Sequence, residues 1–358
     1  MKSEIESLFE IKPYSLDQKE KDEMFAKAMN EAIRYHYDRS EEFRKICDNR
    51  NFVPGETTSV ESIPFLPVSL FKTFQLRSVP ASEIIKTIYS SATTSNSPST
   101  IFLDDITSKR QTKALISIMK DFLINKKNFL IIDQQTDLNN SREVKSRESA
   151  IRGFFPFMES MNFCLDSNLK FDLSKIYELP TENCCIMGFT WLLYTTIIEN
   201  ENNDLLREFF RKIKNPVIIH IGGWKKLGDK KISKDEFNKK ISEFFNCKKE
   251  NIMDIYGMTE QLGTIYPDCN QGNKHVSVFS EIFIRNTNTL EIEEMGKSGF
   301  IQLVSPIPKS YPGISLLSDD IGKIIGVDDC PCGRKGKYFR FVKRTEKADI
   351  KGCGDTID

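Results

Sequence analysis

Four short stretches of this sequence carry the side chains best suited to chemistry on a nucleotide. Tyr89-Ser90-Ser91-Ala92-Thr93-Thr94-Ser95-Asn96-Ser97-Pro98 is a run of hydroxyls and small residues between two expected strands. Such a loop can wrap backbone N–H groups and hydroxyls around phosphate oxygens, although an isolated Ser/Thr run is more often a solvated turn. Tyr256-Gly257-Met258-Thr259-Glu260 follows an expected strand directly. It offers an aromatic ring to lie on a base, a glycine for close approach, and a hydroxyl and carboxylate that could hold Mg²⁺. In Ser318-Asp319-Asp320-Ile321-Gly322 a carboxylate at a strand end could accept both hydroxyls of a ribose, and Lys343-Arg344-Thr345-Glu346 places a basic pair in a late turn. Taken singly, each has an ordinary structural reading as a turn, a helix cap, solvated acids or a surface ion pair.

The cysteines form a second group. Cys330-Pro331-Cys332-Gly333, taken with Cys269 and with His275 six residues after it, supplies three thiols and an imidazole, a ligand set suited to tetrahedral zinc. The alternative is three buried thiols and a surface histidine. Cys47, Cys164, Cys184, Cys185 and Cys247 read as small packing residues. Only three histidines exist (His36, His220, His275), so chemistry that needs a histidine base has few places to form.

The order of the motifs weighs more than any one of them. A hydroxyl loop, then Gly222-Gly223-Trp224-Lys225, then YGMTE, then SDDIG, then an arginine turn, resembles the AMP-forming acyl and aryl adenylating enzymes. That resemblance implies that Ser90, Ser91, Thr93 and Thr94 cradle the triphosphate, with Gly222, Gly223 and Gly257 beside the nucleotide. It also implies that Tyr256 lies against adenine, that Thr259 and Glu260 serve phosphate and Mg²⁺, that Asp320 binds ribose, and that Arg344 contacts the nucleotide near a hinge. Within that group the chain is similar to the LuxE-like acyl-protein synthetases, with some likeness to phenylacetate-CoA ligases, through YHYDRSEEFRKIC (35–47), IPFLPVSLFK (63–72), IGGWK (221–225), SDDIG and the closing KGC. LuxE-like proteins activate a fatty acid as acyl-AMP and pass it to a cysteine of the protein, from which a partner reductase takes it. Cys353, beside Lys351, stands where they place that thiol, and a neighbouring lysine favours the nucleophilic thiolate. A Cys, His and C-x-C set also occurs in relatives of the phenylacetate-CoA ligases, which favours structural zinc at Cys269, His275, Cys330 and Cys332.

Two departures stand out. The phosphate loop of the superfamily has glycines where this chain has Ala92 and Ser95, and a lysine where it has Ser99. The sequence also ends at Asp358, just past the hinge motif, so the expected fold is the α/β N-terminal-domain fold of adenylating enzymes without the usual C-terminal domain.

The elements that must position these groups follow from composition and periodicity. Fifty-one Lys plus Arg against fifty-one Asp plus Glu leaves no broad basic surface, which argues against nucleic acid as a partner. The acids in MKSEIESLFEIKP argue against a signal peptide. Nine cysteines without such a signal fit a reducing compartment, with the cytoplasm as the default. The apolar run 184–198 is shorter than the roughly 20 residues a spanning helix needs and reads as a buried core helix, so no membrane span is expected. Residues 18–49 show helical spacing, with Asp38 and Glu41 spaced like a cap between two helices.

A strand is expected near 84–89, and from Ile101 onward strands alternate with helices: strands near 101–103, 129–132, 216–221 and 252–256, and helices across 108–124, 184–198 and 234–245. After Tyr256 short strands dominate, at 275–284, 299–304, 314–317 and 321–327. The expected organisation is a helical preface over 1–75, an α/β core over 76–260 and a β-rich part over 261–358.

The leading functional expectation is an ATP- and Mg²⁺-dependent enzyme: a carboxylate, fatty by the resemblance, attacks the α-phosphorus, pyrophosphate leaves, and a thiol captures the acyl-adenylate. No general base is required, which agrees with the scarcity of histidine. Phe189, Trp191 and Leu192 are candidates for the acyl side of the cleft, with a plain core helix as the alternative. The partners are then the acid and an acyl-accepting or acyl-reducing protein. A non-catalytic acyl-binding or docking subunit on the same scaffold is the competing expectation, and a free acyl-CoA ligase the third.

Overall fold

The computed structural model describes residues 3–55, 59–90, 98–135, 143–224 and 232–345. Chain order begins with α1 (Glu4–Ser7), α2 (Gln18–Arg39), α3 (Glu41–Asn49), β1 (Leu66–Pro67), α4 (Leu70–Thr73), β2 (Lys86–Tyr89), β3 (Thr100–Leu103) and α5 (Asp105–Lys120). It continues with β4 (Asn128–Gln134), β5 (Glu143–Lys145), α6 (Ser146–Arg152), β6 (Ser160–Leu165), β7 (Cys184–Phe189), α7 (Thr190–Glu199), α8 (Asp204–Lys212), β8 (Val217–Ile221), α9 (Lys234–Phe244) and β9 (Ile252–Tyr256). The remainder is strand: β10 (Tyr266–Pro267), β11 (Lys274–His275), β12 (Glu281–Arg285), β13 (Gly299–Val304), β14 (Ser315–Val327) and β15 (Lys337–Arg344).

Helix α2 starts with a capping box, Asp17 accepting from the Glu20 N–H while the Glu20 side chain accepts from the Asp17 N–H, and buries Phe25, Met29 and Ile33 at helical spacing. The expected break after it is present, but Ser40 rather than Asp38 supplies the cap, accepting from the Phe43 N–H. Serine is a preferred N-cap because its short side chain reaches back to the free amides of the first turn.

Three sheets are present among the described residues. One runs β10-β9-β8-β7-β4-β6, parallel except for β10; a second runs β11-β15-β14-β13-β12 with β1 joined to β14; a small third sheet runs β3-β2-β5. The expectation of one buried helix over 184–198 is corrected. Its first six residues are β7, all buried in the middle of the parallel sheet, and only from Thr190 does the chain become helical. A central parallel strand is covered on both faces and so reads as an unbroken apolar run, which has no period to tell it from a buried helix.

The segments 314–317 and 321–327 are one strand, β14, and 275–284 divides into β11 and β12. Lys343 and Arg344 close strand β15 instead of lying in a turn. One apolar core among the described residues joins Phe25 and Ile33 of α2, Ile88 and Ile101 of the small sheet, Phe129 of β4 and Phe283 and Leu316 of the β-rich sheet, and a second packs behind the parallel sheet. No helix among the described residues is long and apolar enough to cross a membrane.

Candidate active site

In a parallel sheet the strands end together on one edge, and ligands bind beyond those carboxyl ends. Register brings Phe189 opposite Ile221 and Ile221 opposite Ile255, so Phe189, Gly222 and Tyr256 leave neighbouring strands side by side. Gly222 takes φ +78, a conformation side chains resist, and both Gly222 and Gly223 are exposed. Leu192 is buried in the core behind the sheet with Leu193 and Phe210, so it lines that core and not the open edge.

The β-rich sheet supplies the opposite wall. Asp320 and Arg344 are direct cross-strand partners in β14 and β15. Arg344 donates from Nε to Asp320 Oδ1 at 2.7 Å and from Nη2 to Oδ2 at 3.1 Å, and the Tyr256 hydroxyl donates to Oδ2 at 3.0 Å. Asp320 is therefore held on both oxygens by groups from two sheets, the strong bidentate geometry of arginine with carboxylate. The Tyr256 ring packs against Phe339 and Phe341, with centroids 5.9 and 5.7 Å away.

Thr259 and Glu260 form a short 3-10 turn just after β9, with Glu260 buried. Burial raises the Glu260 carboxyl above its usual range, and the Ser99 hydroxyl, Lys72 and Arg344 pull it back only in part. Ser99 is at the foot of the hydroxyl loop, whose two ends are stitched: the Ser90 N–H donates to Ser99 O at 3.0 Å, and the Ser99 N–H donates to Ser90 Oγ at 2.8 Å. The loop is thereby rooted beside Glu260. Ser91, Thr93 and Thr94, together with Lys225 and Cys353, lie outside the described residues. Behind the turn, Gly263 takes φ +90, and a Cβ there would stand 2.5 Å from Gln111 Cα, so only glycine lets the segment pass α5.

Cys269, His275, Cys330 and Cys332 come together from three separate segments, and their ligand atoms all lie within 4.8 Å of one another. Cys269 Sγ is 4.0 Å from Cys330 Sγ, and Cys332 Sγ is 3.2 Å from His275 Nε2. Tetrahedral zinc with Zn–S near 2.3 Å would separate two sulfurs by about 3.8 Å, so the donor set has the right size and chemistry. The Gln271 N–H at 3.4 Å from Cys269 Sγ and Asn273 Nδ2 at 3.6 Å from Cys330 Sγ would further support thiolates.

The sequence profile of the family described as acyl-protein synthetase, LuxE, matches residues 1–358. The chain belongs to the LuxE acyl-protein synthetase family. Long-chain-fatty-acid–luciferin-component ligase of Aliivibrio fischeri is 25% identical over 365 residues, covering 98% of this chain and 92% of that protein. The ligase of the same name from Vibrio harveyi is 23% identical over 351 residues, covering 95% and 89%. Among solved structures, an open conformation of 2-hydroxyisobutyryl-CoA ligase with 2-HIB-AMP and CoA superposes with TM-score 0.71 at 15% identity, over 92% of this chain and 76% of that one. That likeness carries the adenylating-enzyme fold. As a LuxE-family member the chain is an AMP-forming acid ligase, activating an acid with ATP and transferring the acyl group.

In this LuxE-family chain the structure adds a residue that sequence reading passed over. Lys72 sits on α4, in the IPFLPVSLFK stretch; burial raises the carboxyls of both Glu260 and Asp319, and the Lys72 charge offsets part of that rise. A signal was available: Ser99 stands where the superfamily has a phosphate-loop lysine, so a cation from elsewhere was to be sought. The remaining cysteines are packing residues, as burial pushes the Cys47 and Cys247 thiols up to about 12 and Cys184 to about 11. His36 is a satisfied core residue, Nδ1 2.7 Å from Ser78 Oγ and Nε2 3.0 Å from Pro308 O, with its pKa lowered to about 4 by burial.

Proposed function

We propose that this ligase activates a long-chain fatty acid as its acyl-adenylate and delivers the acyl group to a thiol. The observation that carries this reading is the convergence of Asp320, Tyr256, Arg344 and Glu260 at the open edge of the parallel sheet, next to the stitched hydroxyl loop. The names of the two luciferin-component ligases support the acid class.

In this reading Asp320 accepts the ribose hydroxyls, Tyr256 lies along the base, and Ser90, Ser91, Thr93 and Thr94 hold the triphosphate with Lys72 nearby. Thr259 and Glu260 would hold Mg²⁺, which supplies charge neutralisation for the departing pyrophosphate. The substrate carboxylate is already a nucleophile at neutral pH. The protein's work is to place it in line with the α-phosphorus and to exclude water. Cys269, His275, Cys330 and Cys332 would hold a structural zinc, because four protein ligands leave no open position.

Cys353 is the proposed acyl carrier, from which an acyl-accepting or acyl-reducing protein collects the product. Carboxylate-dependent exchange of labelled pyrophosphate into ATP, run with acids of graded chain length, tests the acid class, and exchange restricted to short or aromatic acids would refute it. Glu260→Gln is expected to cut exchange while leaving the fold intact, since it removes a buried charge at nearly constant volume. Labelled fatty acid with ATP and Mg²⁺ is expected to give a hydroxylamine-labile adduct on the C-terminal peptide, abolished by Cys353→Ala with exchange retained. A label that persists in the variant would place the acceptor elsewhere.

A further inference from the structure

Thr190 is the first helical residue of α7 and is buried directly behind the Gly222–Gly223 loop. Its hydroxyl donates to Gly222 O at 2.7 Å, and the same oxygen lies 3.0 Å from His220 Nδ1. A hydroxyl has one proton to give. With that proton on the Gly222 carbonyl, the contact to His220 requires the ring to donate through Nδ1, which assigns the Nδ1–H tautomer and leaves Nε2 as a bare acceptor.

Three further observations agree. Among the described residues His220 Nε2 is buried without a hydrogen-bond partner, the His220 and Phe237 rings meet edge-on with centroids 5.1 Å apart, and Asp254 Oδ1 lies 3.6 Å from Nδ1, on the side where the proton is placed. Burial holds the ring neutral by lowering its pKa. Asp254 is itself fixed by Lys274, whose Nζ reaches Asp254 Oδ2 at 3.1 Å and Asp254 O at 2.7 Å. The result is a directed chain, imidazole N–H to hydroxyl to carbonyl, in a dry environment where successive hydrogen bonds strengthen one another.

The carbonyl at the end of this chain belongs to the peptide that joins Gly222 to Gly223. No peptide bond in the described chain is cis, so the Gly223 N–H points opposite to the Gly222 carbonyl and away from Thr190. Among the described residues, no atom beyond Gly223 and its two chain neighbours lies within 4 Å of where a Gly223 Cβ would stand. Without a tether, two consecutive glycines would let this peptide flip freely.

We propose that Thr190 is a positioning residue for adenylation: its hydroxyl, oriented by His220, locks the Gly222–Gly223 peptide so that the Gly223 amide N–H is presented to a hydrogen-bond acceptor of the bound acyl-adenylate. This rests on the reading above that the loop borders the acyl-adenylate.

The test compares full-length wild type, Thr190→Val and Thr190→Ser by two measurements: pyrophosphate exchange with hexadecanoic acid, and calorimetric affinity for hexadecanoyl-sulfamoyl-adenosine, a non-reactive acyl-adenylate analogue. Losing one oriented hydrogen bond should weaken the analogue about tenfold and lower kcat for exchange by a similar factor. KM for the acid should change little. Serine keeps the hydroxyl and should restore both values to within about threefold. Thr190→Ala gives the same readout should the valine variant fail to fold. Wild-type affinity in Thr190→Val, or a serine variant as weak as the valine one, would overturn the positioning role while leaving the adenylation reading standing. A wild type that neither exchanges nor binds the analogue would overturn both.

Discussion

The hydroxyl of Tyr256 donates to Asp320 Oδ2 across the junction of two sheets, at 3.0 Å, while the same carboxylate is gripped by Arg344. The aromatic residue of YGMTE and the acid of SDDIG are thus one unit, although 63 residues stand between them in the sequence. Tyr256→Phe keeps the ring and removes the donor. It is expected to raise KM for ATP about three- to tenfold, the value of one hydrogen bond to a charged acceptor that keeps other partners, with kcat nearly unchanged. A kcat loss without a KM change would refute the role.

Lys72 is expected to matter through charge. A carboxyl raised by burial, as Glu260 is, keeps its proton to higher pH and becomes an anion able to hold a cation only as pH rises. Lys72→Met removes one of the charges that pull its pKa down. Exchange should fall roughly ten- to a hundredfold at neutral pH, and the acid limb of its pH profile should move upward. Lys72→Arg should keep the limb in place; a limb that does not move in Lys72→Met would sink the idea.

The Cys/His cluster gives a direct elemental readout. Protein purified without chelators is expected to carry zinc near one per chain. Cys332→Ser should lower both the zinc content and the melting temperature while leaving the hydroxyl loop untouched. Zinc near zero, with the melting temperature unchanged in the variant, would identify the cluster as packed thiols and an imidazole.

Glu281 should contribute strongly to acid stability. Its carboxylate is buried between Lys21 Nζ at 3.1 Å and Lys337 Nζ at 3.3 Å, and Gln18 Nε2 donates to it at 2.7 Å. Burial alone would raise its pKa, but the two lysines and the hydrogen bonds outweigh that and hold it at about 2, below the ordinary 4.5. A folded-state pKa lower than the unfolded one contributes stability above pH 4.5 and loses it as pH falls from there toward 2. Glu281→Gln should flatten that acid limb in denaturation curves. At neutral pH it should cost about 3–5 kcal/mol, because Lys21 stays buried without its counter-charge.

Features that depend on residue type and near spacing can be read directly from the sequence. YGMTE, SDDIG and the hydroxyl run are legible because their chemistry is written in consecutive residues. The strand before Tyr256 and the helix over 234–244 are legible because their apolar positions keep a period.

The Cys269, His275, Cys330 and Cys332 set was legible as a ligand inventory, but its convergence depends on β11 pairing with β15, a contact between segments far apart in sequence. The same limit explains the run 184–198. It carries no charge and no apolar period that separates strand from helix, and only the neighbouring strands β4 and β8 decide that the first six residues pair as a strand.

Lys72 near Glu260, Arg344 on Asp320 and Thr190 under Gly222 belong wholly to the tertiary structure. Each joins residues from separate segments, and the energy that selects the pairing, burial of a charge or of a backbone carbonyl, exists only once the sheets have packed and water has left.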